Sequence, residues 1–196
     1  QTLPTAALGK EYVLMPYANQ RNGFVYRVVA AQDSTYVYIN GTLKTMIPKA
    51  GDWITQEQSS DNAVSVTTSK PAYVAQYMKN GRCNGWNGSS DGDAAIFISP
   101  DVNQRLLTTI VGTASTSNMK NHWVNILVDQ SAKKAVKFNG SFLNQSVFNN
   151  VAGGKYAYAQ VSVNNFSSNT ISCDSGFVVV AYGTGPYESY SYSAGA

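Results

Sequence analysis

Short alternating segments separated by Asn-Gly pairs limit the fold of this chain more than any other feature. Alternation of apolar and polar residues has the period of a half-buried strand, and a continuous apolar run is typical of a strand covered on both faces. Asn-Gly favours the type I′ turns of β-hairpins. No segment has a helical period, so the sequence predicts an all-β fold of antiparallel hairpins. The alternating segments are 24–31, 35–39, 64–68 and 124–128, the apolar runs are 72–77, 106–111 and 177–182, and Asn-Gly occurs at 22, 40, 80, 84, 87 and 139.

The sequence also contains a faint internal repeat. The segments 24–30 and 37–42 resemble 122–128 and 136–141, at an offset of about 99 residues. Two later pairs continue the repeat, namely Ala50 to Trp53 with Gly153 to Tyr156, and Ser69 to Tyr77 with Asp174 to Tyr182. We therefore predict two small antiparallel β-sandwich halves, jelly-roll-like, related by internal duplication. Convergent patterning of hairpins is the alternative.

A Gly- and Asn-rich stretch separates the two predicted halves. We assign 1–80 to the first half, 81–95 to a connecting surface loop and 96–196 to the second half. The only two cysteines, Cys83 and Cys173, lack the spacing of a zinc or redox motif. A single disulfide that clamps the halves together would stabilise the fold by about 4 kcal/mol in an oxidising compartment. Two buried free thiols in a cytosolic protein are the alternative.

Composition restricts the classes of partner. Charged residues make up 13% of the chain, and the net charge of +3 is spread without a block of Lys or Arg. A phosphate backbone needs such a block, so nucleic acid is not an expected partner. No apolar run is long enough to span a bilayer, so membrane insertion is not expected either. A charge-poor surface rich in Ser, Thr, Asn and Tyr suits an extracellular, secreted or cell-surface protein.

Few residues are available for catalysis. His122 is the only histidine and opens a predicted strand, and no nucleophile elbow is present. We expect no catalysis, no cofactor and no metal. Calcium at Asp91 and Asp93 is an alternative to a plain acidic turn. A carbohydrate-active hydrolase on paired jelly rolls is an alternative function, and its two carboxylates would come from a small set. That set is Asp33, Asp52, Glu57, Asp61 and Asp129.

Four segments carry a resemblance to a known family. They are Leu8 to Val13, Pro71 to Tyr77 followed by Cys83, Ser99 to Gln104, and Ala181 to Gly195. In these segments the chain resembles the N-terminal domain of the IgGFc-binding protein family, which occurs in secreted animal mucus proteins and bacterial surface proteins. The resemblance implies a role in surface recognition. The segment Asp93 to Ile96 departs from the family pattern, and no binding residues are carried over.

Exposed aromatic side chains on a β scaffold are the expected means of gripping a ligand. Trp86 lies within the connecting loop and is the leading candidate, whereas Trp53 and Trp123 fall in strand patterns and are predicted to be core. The candidate ligand-binding residues are Arg82, Asn84, Trp86, Asn87, Asp91, Asp93, Tyr187 and Tyr190. We expect an adhesion or recognition module that binds a surface glycan or protein, as part of a larger multidomain or fibrous protein. A structural spacer or oligomerisation domain is a further alternative.

Overall fold

The computed structural model describes residues 4–84, 92–114, 116 and 118–194. This part of the chain contains antiparallel strands and three short 3-10 helices at 5–7, 130–135 and 145–147, so the all-β prediction is confirmed. None of these helices is long and apolar enough to cross a bilayer. The strands are β1 (Glu11–Leu14), β2 (Phe24–Ala30), β3 (Thr35–Ile39), β4 (Thr42–Ile47), β5 (Trp53–Gln58), β6 (Val64–Thr68), β7 (Ala72–Met78), β8 (Ala95–Ile98), β9 (Leu106–Gly112), β10 (Asn121–Asp129), β11 (Lys137–Phe138), β12 (Ser141–Phe142), β13 (Phe148–Asn150), β14 (Tyr156–Val163), β15 (Ser168–Gly185) and β16 (Glu188–Ser193).

The first half of the chain forms two four-stranded sheets. One has the order β1-β6-β3-β4 and the other β5-β2-β7-β8. Burial alternates along β2, where Phe24, Tyr26 and Val28 are buried and the residues between them are partly exposed. The same alternation holds in β6. Each sheet therefore turns one apolar face inward, and the two inner faces build a common core.

The second half repeats this pairing, but its strand β15 spans both sheets. Strand β15 pairs with β9 and β11 through its first residues and with β10 and β16 through its last ones. Its register shifts between Ser172 and Phe177, where the strand passes from one set of partners to the other. In the first half the corresponding strands β6 and β7 are separate, because Pro71 between them has no N–H to continue a ladder.

The registers of the two halves match residue by residue. Arg27 lies between Thr55 and Ala75, and Asn125 lies between Gln160 and Val180 in the same way. The same comparison places Trp53 opposite Val29 and Tyr158 opposite Leu127, so Trp53 and Tyr158 are counterparts. The repeat in the sequence aligns Trp53 with Tyr156, which lies two residues before its structural counterpart Tyr158.

The Asn-Gly turns of the two halves are also equivalent. Asn40 and Asn139 both have a left-handed backbone, with φ of 49° and 50°. The side chain of Asn40 accepts from the backbone N–H of Ser65, and that of Asn139 accepts from Thr170, at 2.9 Å in each case. Asparagine tolerates this conformation better than most residues, which explains why both turns use it.

The sheet in which β10 lies between β15 and β14, with β13 at its edge, is called the β10 sheet and is buried on both faces. Ile126 and Val179 belong to the core of the second half, while Leu127, Tyr158 and Tyr182 belong to the core that includes the first half. The chain between β1 and β2 crosses this second face. The carbonyl of Pro16 there accepts from the side-chain amides of Asn125 at 2.8 Å and Gln160 at 2.7 Å. The Tyr182 hydroxyl accepts from Ala18 N–H at 2.8 Å. The two halves are thus joined by a continuous buried layer.

The division of the chain at residues 80 and 96 remains a prediction. Strand β8 pairs with β7, from Met78 opposite Ala95 to Ala75 opposite Ile98. Residues 95–98 therefore extend a sheet of the first half, although the sequence assigned all but the first of them to the second half.

The predicted disulfide is wrong. Both cysteines are free, and Cys83 is exposed whereas Cys173 is buried in the core of the second half. Cys173 follows Ile171 on β15 and points inward with it. A residue held in that core cannot reach the surface turn that contains Cys83, so the halves are joined by packing and hydrogen bonds instead.

The cysteines should differ in reactivity. Alkylation of the native protein with iodoacetamide is expected to modify Cys83 alone, because Cys173 is 2% exposed. Alkylation in denaturant without reductant should modify both. Intact mass spectrometry would count the labels, and a protein that takes no label until reductant is added would contain the disulfide after all.

The Tyr182 hydroxyl should contribute to the stability of the whole chain. It accepts from Ala18 and donates to Asn125 at 3.1 Å, and the residue is fully buried. Tyr182→Phe is expected to lower the free energy of unfolding by about 1–3 kcal/mol, because buried partners lose a hydrogen bond. Urea denaturation would measure the loss. Tyr36→Phe is the control, since Tyr36 is 44% exposed, and an equal effect in both variants would contradict the assignment.

Candidate functional site

Hydrogen bonds tie the ends of the connecting loop to the β15–β16 turn. Gly81 N–H donates to Gly92 O at 3.1 Å, and Gly92 N–H donates to Gly185 O at 2.8 Å. Asp93 N–H donates to Ser189 Oγ at 2.9 Å. Of the predicted ligand-binding residues, Arg82 and Asp93 are exposed here, and Tyr187 in the turn is 78% exposed. Trp86, Asn87 and Asp91 lie outside the described residues.

Two other predicted binding residues have structural partners. Asn84 is fully buried, and its amide donates to the side chain of Gln20 and to Lys79 O. The Tyr190 hydroxyl lies 2.8 Å from His122 Nδ1. Burial raises the pKa of Tyr190 to about 12 and lowers the pKa of His122, so both side chains are neutral near pH 7. Asn84 therefore anchors the start of the connecting loop to Gln20 and Lys79, and Tyr190 packs against His122 of β10.

Two of the four segments that carry the family resemblance, Leu8 to Val13 and Ser99 to Gln104, meet around Asp101. Its carboxylate Oδ2 accepts from the N–H groups of Lys10 at 2.8 Å and Glu11 at 2.9 Å. Its Oδ1 accepts from Asn103 N–H and from the Asn103 amide, at 2.8 Å each. Gly9 lies against this carboxylate, and a Cβ at Gly9 would overlap it. This cluster fixes the start of β1 to the turn after β8, so these segments have a structural role.

Removing the Asp101 carboxylate should destabilise the fold. Asp101→Ala is expected to lower the free energy of unfolding by about 3 kcal/mol, because Asp101 is 5% exposed and its loss leaves several partly buried donors without their acceptor. Thermal unfolding followed by circular dichroism would measure the loss. Asp93→Ala is the control, because Asp93 is exposed and the bond to Ser189 is made by its backbone N–H, which the substitution keeps. A stability of Asp101→Ala equal to wild type would contradict this role.

The outer side of the β5-β2-β7-β8 sheet presents exposed aromatic and aliphatic residues. The Arg27 guanidinium carbon lies 5.4 Å from the centroid of the Trp53 ring and 5.9 Å from that of Tyr77. At these distances the cation is attracted to the faces of both rings. Trp53 is 57% exposed and Ile96 is 52% exposed, so the prediction that Trp53 is core is wrong. We call this surface the front face, and its residues are Val25, Arg27, Val29, Trp53, Thr55, Tyr73, Tyr77 and Ile96.

A groove of about 260 Å³ lies beside the front face, between the edge strands β4 and β5. It is lined by Met46, Ile47, Pro48, Asp52, Trp53 and Ile54. In the second half the strand equivalent to β5 is β14, and there β13 pairs with it and buries Phe148. Within the described residues β5 pairs with β2 alone. The groove therefore marks a place where the second half has an extra strand and the first half has none.

Three of the five carboxylates that the sequence offered for a hydrolase form ion pairs with Lys or Arg side chains. Asp33 lies 3.2 Å from Lys49, and Glu57 contacts Lys79. Asp129 accepts from Arg105, with its Oδ1 2.9 Å from Nη2. Within the ranges that the structure describes, no three His, Cys, Asp or Glu side chains cluster as metal ligands do.

Comparisons with known proteins support the resemblance seen in the sequence. A family model described as IgGFc binding protein matches residues 1–183. No curated protein matches the chain. Among solved structures, a β-D-glucuronidase of Dictyoglomus thermophilum is 10% identical with a TM-score of 0.24, and the match covers 93% of this chain and 35% of that one.

Two further solved structures are similarly distant. A β-glucuronidase from Ruminococcus gnavus is 9% identical with a TM-score of 0.25, and the match covers 93% of this chain and 34% of that one. A GH2 β-galacturonidase from Eisenbergiella tayi is 6% identical with a TM-score of 0.22, and the match covers 88% and 32%. The chain spans about a third of the length of these enzymes. TM-scores this low carry no argument about activity.

Proposed function

The chain belongs to the IgGFc-binding protein family, and on this premise we propose that it is an extracellular recognition module. The module has no catalysis of its own and binds an extended segment of a partner protein along strand β5. The groove beside β5 carries this proposal. An edge strand presents unpaired N–H and C=O groups, which can pair with one more strand. The groove then receives a side chain of the added strand.

The second half supplies the physical precedent. Strand β13 lies against β14 with Phe148 opposite Ala159, and Ile54 is the counterpart of Ala159 in the first half. Phe148 is 9% exposed and belongs to the second core. A partner strand on β5 would therefore place an apolar or aromatic side chain near Ile54. Backbone pairing would supply affinity, and the groove would supply specificity.

The absence of catalysis is part of the proposal. His122 is 1% exposed and its Nδ1 is held by Tyr190, so it is poorly placed as a general base. The ion pairs of Asp33, Glu57 and Asp129 favour structural roles for these carboxylates.

The same proposal includes two further points. The two halves arose by duplication, and the chain is part of a larger multidomain or fibrous protein. A glycan partner at Arg82, Asp93 and Tyr187 remains a prediction.

A displayed library of random peptides of roughly ten residues, the length of a long strand, tests the binding of an extended segment. Peptides selected on the wild-type chain should carry an aromatic or large aliphatic residue flanked by strand formers. Met46→Asp should weaken their binding at least about tenfold, because a carboxylate would enter the groove. Fluorescence of Trp53, which lines the groove, would report binding by titration.

Leu43→Asp is the matched control for Met46→Asp. Leu43 lies on the same strand and is 53% exposed, but it does not line the groove. Selected peptides should bind this variant as they bind wild type. Failure to select any peptide, or selected peptides that tolerate Met46→Asp, would contradict strand addition at β5.

A further inference from the structure

The first half covers one face of the β10 sheet, and the covering elements can be named. The carbonyl of Pro16 accepts from Asn125 and Gln160, and the carbonyl of Asp61 accepts from the Tyr158 hydroxyl at 3.5 Å. Tyr158 is 4% exposed as a result. The covering side of the first half thus consists of β1, the chain after it, and the turn before β6.

The front face is the counterpart of the face that is covered. The shared register pairs Trp53 with Tyr158, Arg27 with Asn125, and Tyr77 with Tyr182. Both faces therefore have an aromatic residue near each end and a side-chain donor between them. Tyr182 is fully buried, whereas Trp53 is 57% exposed. The first half thus has the features of a docking face, and Trp53 and Ile96 on it are exposed.

The covering side also has a counterpart, and it too is exposed. Tyr12 pairs with Val66 and Thr109 pairs with Ile171, so Val13 corresponds to Ile110. Val13 is 4% exposed, but Ile110 is 65% exposed. Phe166 occupies the turn before β15 at the position of Asp61 and is 66% exposed. We call this surface the back edge, and its residues are Ile110, Thr113 and Phe166.

We propose that the front face binds the back edge of a second copy of this chain, repeating between molecules the contact that joins the two halves within one. The exposed apolar residues on both surfaces are the ones that this contact would bury. Arg27 would donate to a backbone carbonyl near Thr113, as Asn125 donates to Pro16. The proposed contact is centred on Arg27 and shares only Trp53 with the β5 groove, so it does not rest on the proposed function.

The geometry of the contact has a consequence for assembly. The front face belongs to the first half and the back edge to the second, so the two surfaces of the contact are different parts of the molecule. Such a heterologous contact extends into an open chain or closes into a ring. Blocking one surface on a molecule leaves its other surface able to bind.

Sedimentation equilibrium over a range of concentrations tests this assembly. The wild-type chain should form species larger than a dimer. Arg27→Glu blocks the front face, and Ile110→Lys blocks the back edge, so each variant alone should be a monomer. An equimolar mixture of the two should form a one-to-one complex and grow no further, because only one productive contact remains.

The controls keep the outcome specific. Lys44→Glu makes the same charge reversal as Arg27→Glu, and Leu43→Lys adds the same charge as Ile110→Lys, both on the exposed strand β4. These variants, and Met46→Asp in the groove, should assemble like wild type.

Circular dichroism tests whether each variant is folded. The mixture is a second check of folding, because both variants in it must be able to bind. A wild-type chain that stays monomeric up to about 1 mM would overturn the proposal, as would a mixture that remains monomeric.

Discussion

The β10 sheet cannot be stable in water by itself, and the rest of the structure depends on how its second face is covered. One face packs on the core of its own half through Ile126 and Val179, and the other presents Leu127, Tyr158 and Tyr182. Burial of apolar area is the main favourable contribution to folding. Because the first half supplies that burial, we expect the chain to fold as one unit, with a shared core rather than a flexible linker.

This constraint separates structural from functional sequence. Two of the family segments meet at Asp101 and Gly9, where they fix β1 in the position that lets the following residues cross the β10 sheet. Recognition is then left to surfaces on which the halves differ. The second half fills its edge with Phe148 and has its outer face covered, whereas the first half leaves the β5 edge and Trp53 open.

Sequence patterns predicted the strands because alternation and Asn-Gly turns are local signals. Asn40 and Asn139 show how faithful that signal is, since the two turns have the same backbone and the same hydrogen bonds. Alternation could not tell that Trp53 faces outward, because a period of two gives two faces without saying which one is buried. Likewise, the sequence could not predict that Cys173 is buried, because its burial depends on a core built from strands that are distant in the sequence. The groove could not be predicted, because it reflects a strand that one half lacks.

Differential scanning calorimetry of the 196-residue chain tests most directly whether the halves share one core. The account predicts a single unfolding transition in which the calorimetric and van't Hoff enthalpies agree, with a ratio of about one. Two resolved transitions, or a calorimetric enthalpy about twice the van't Hoff value, would show that each half unfolds independently. That result would contradict a common buried layer between them.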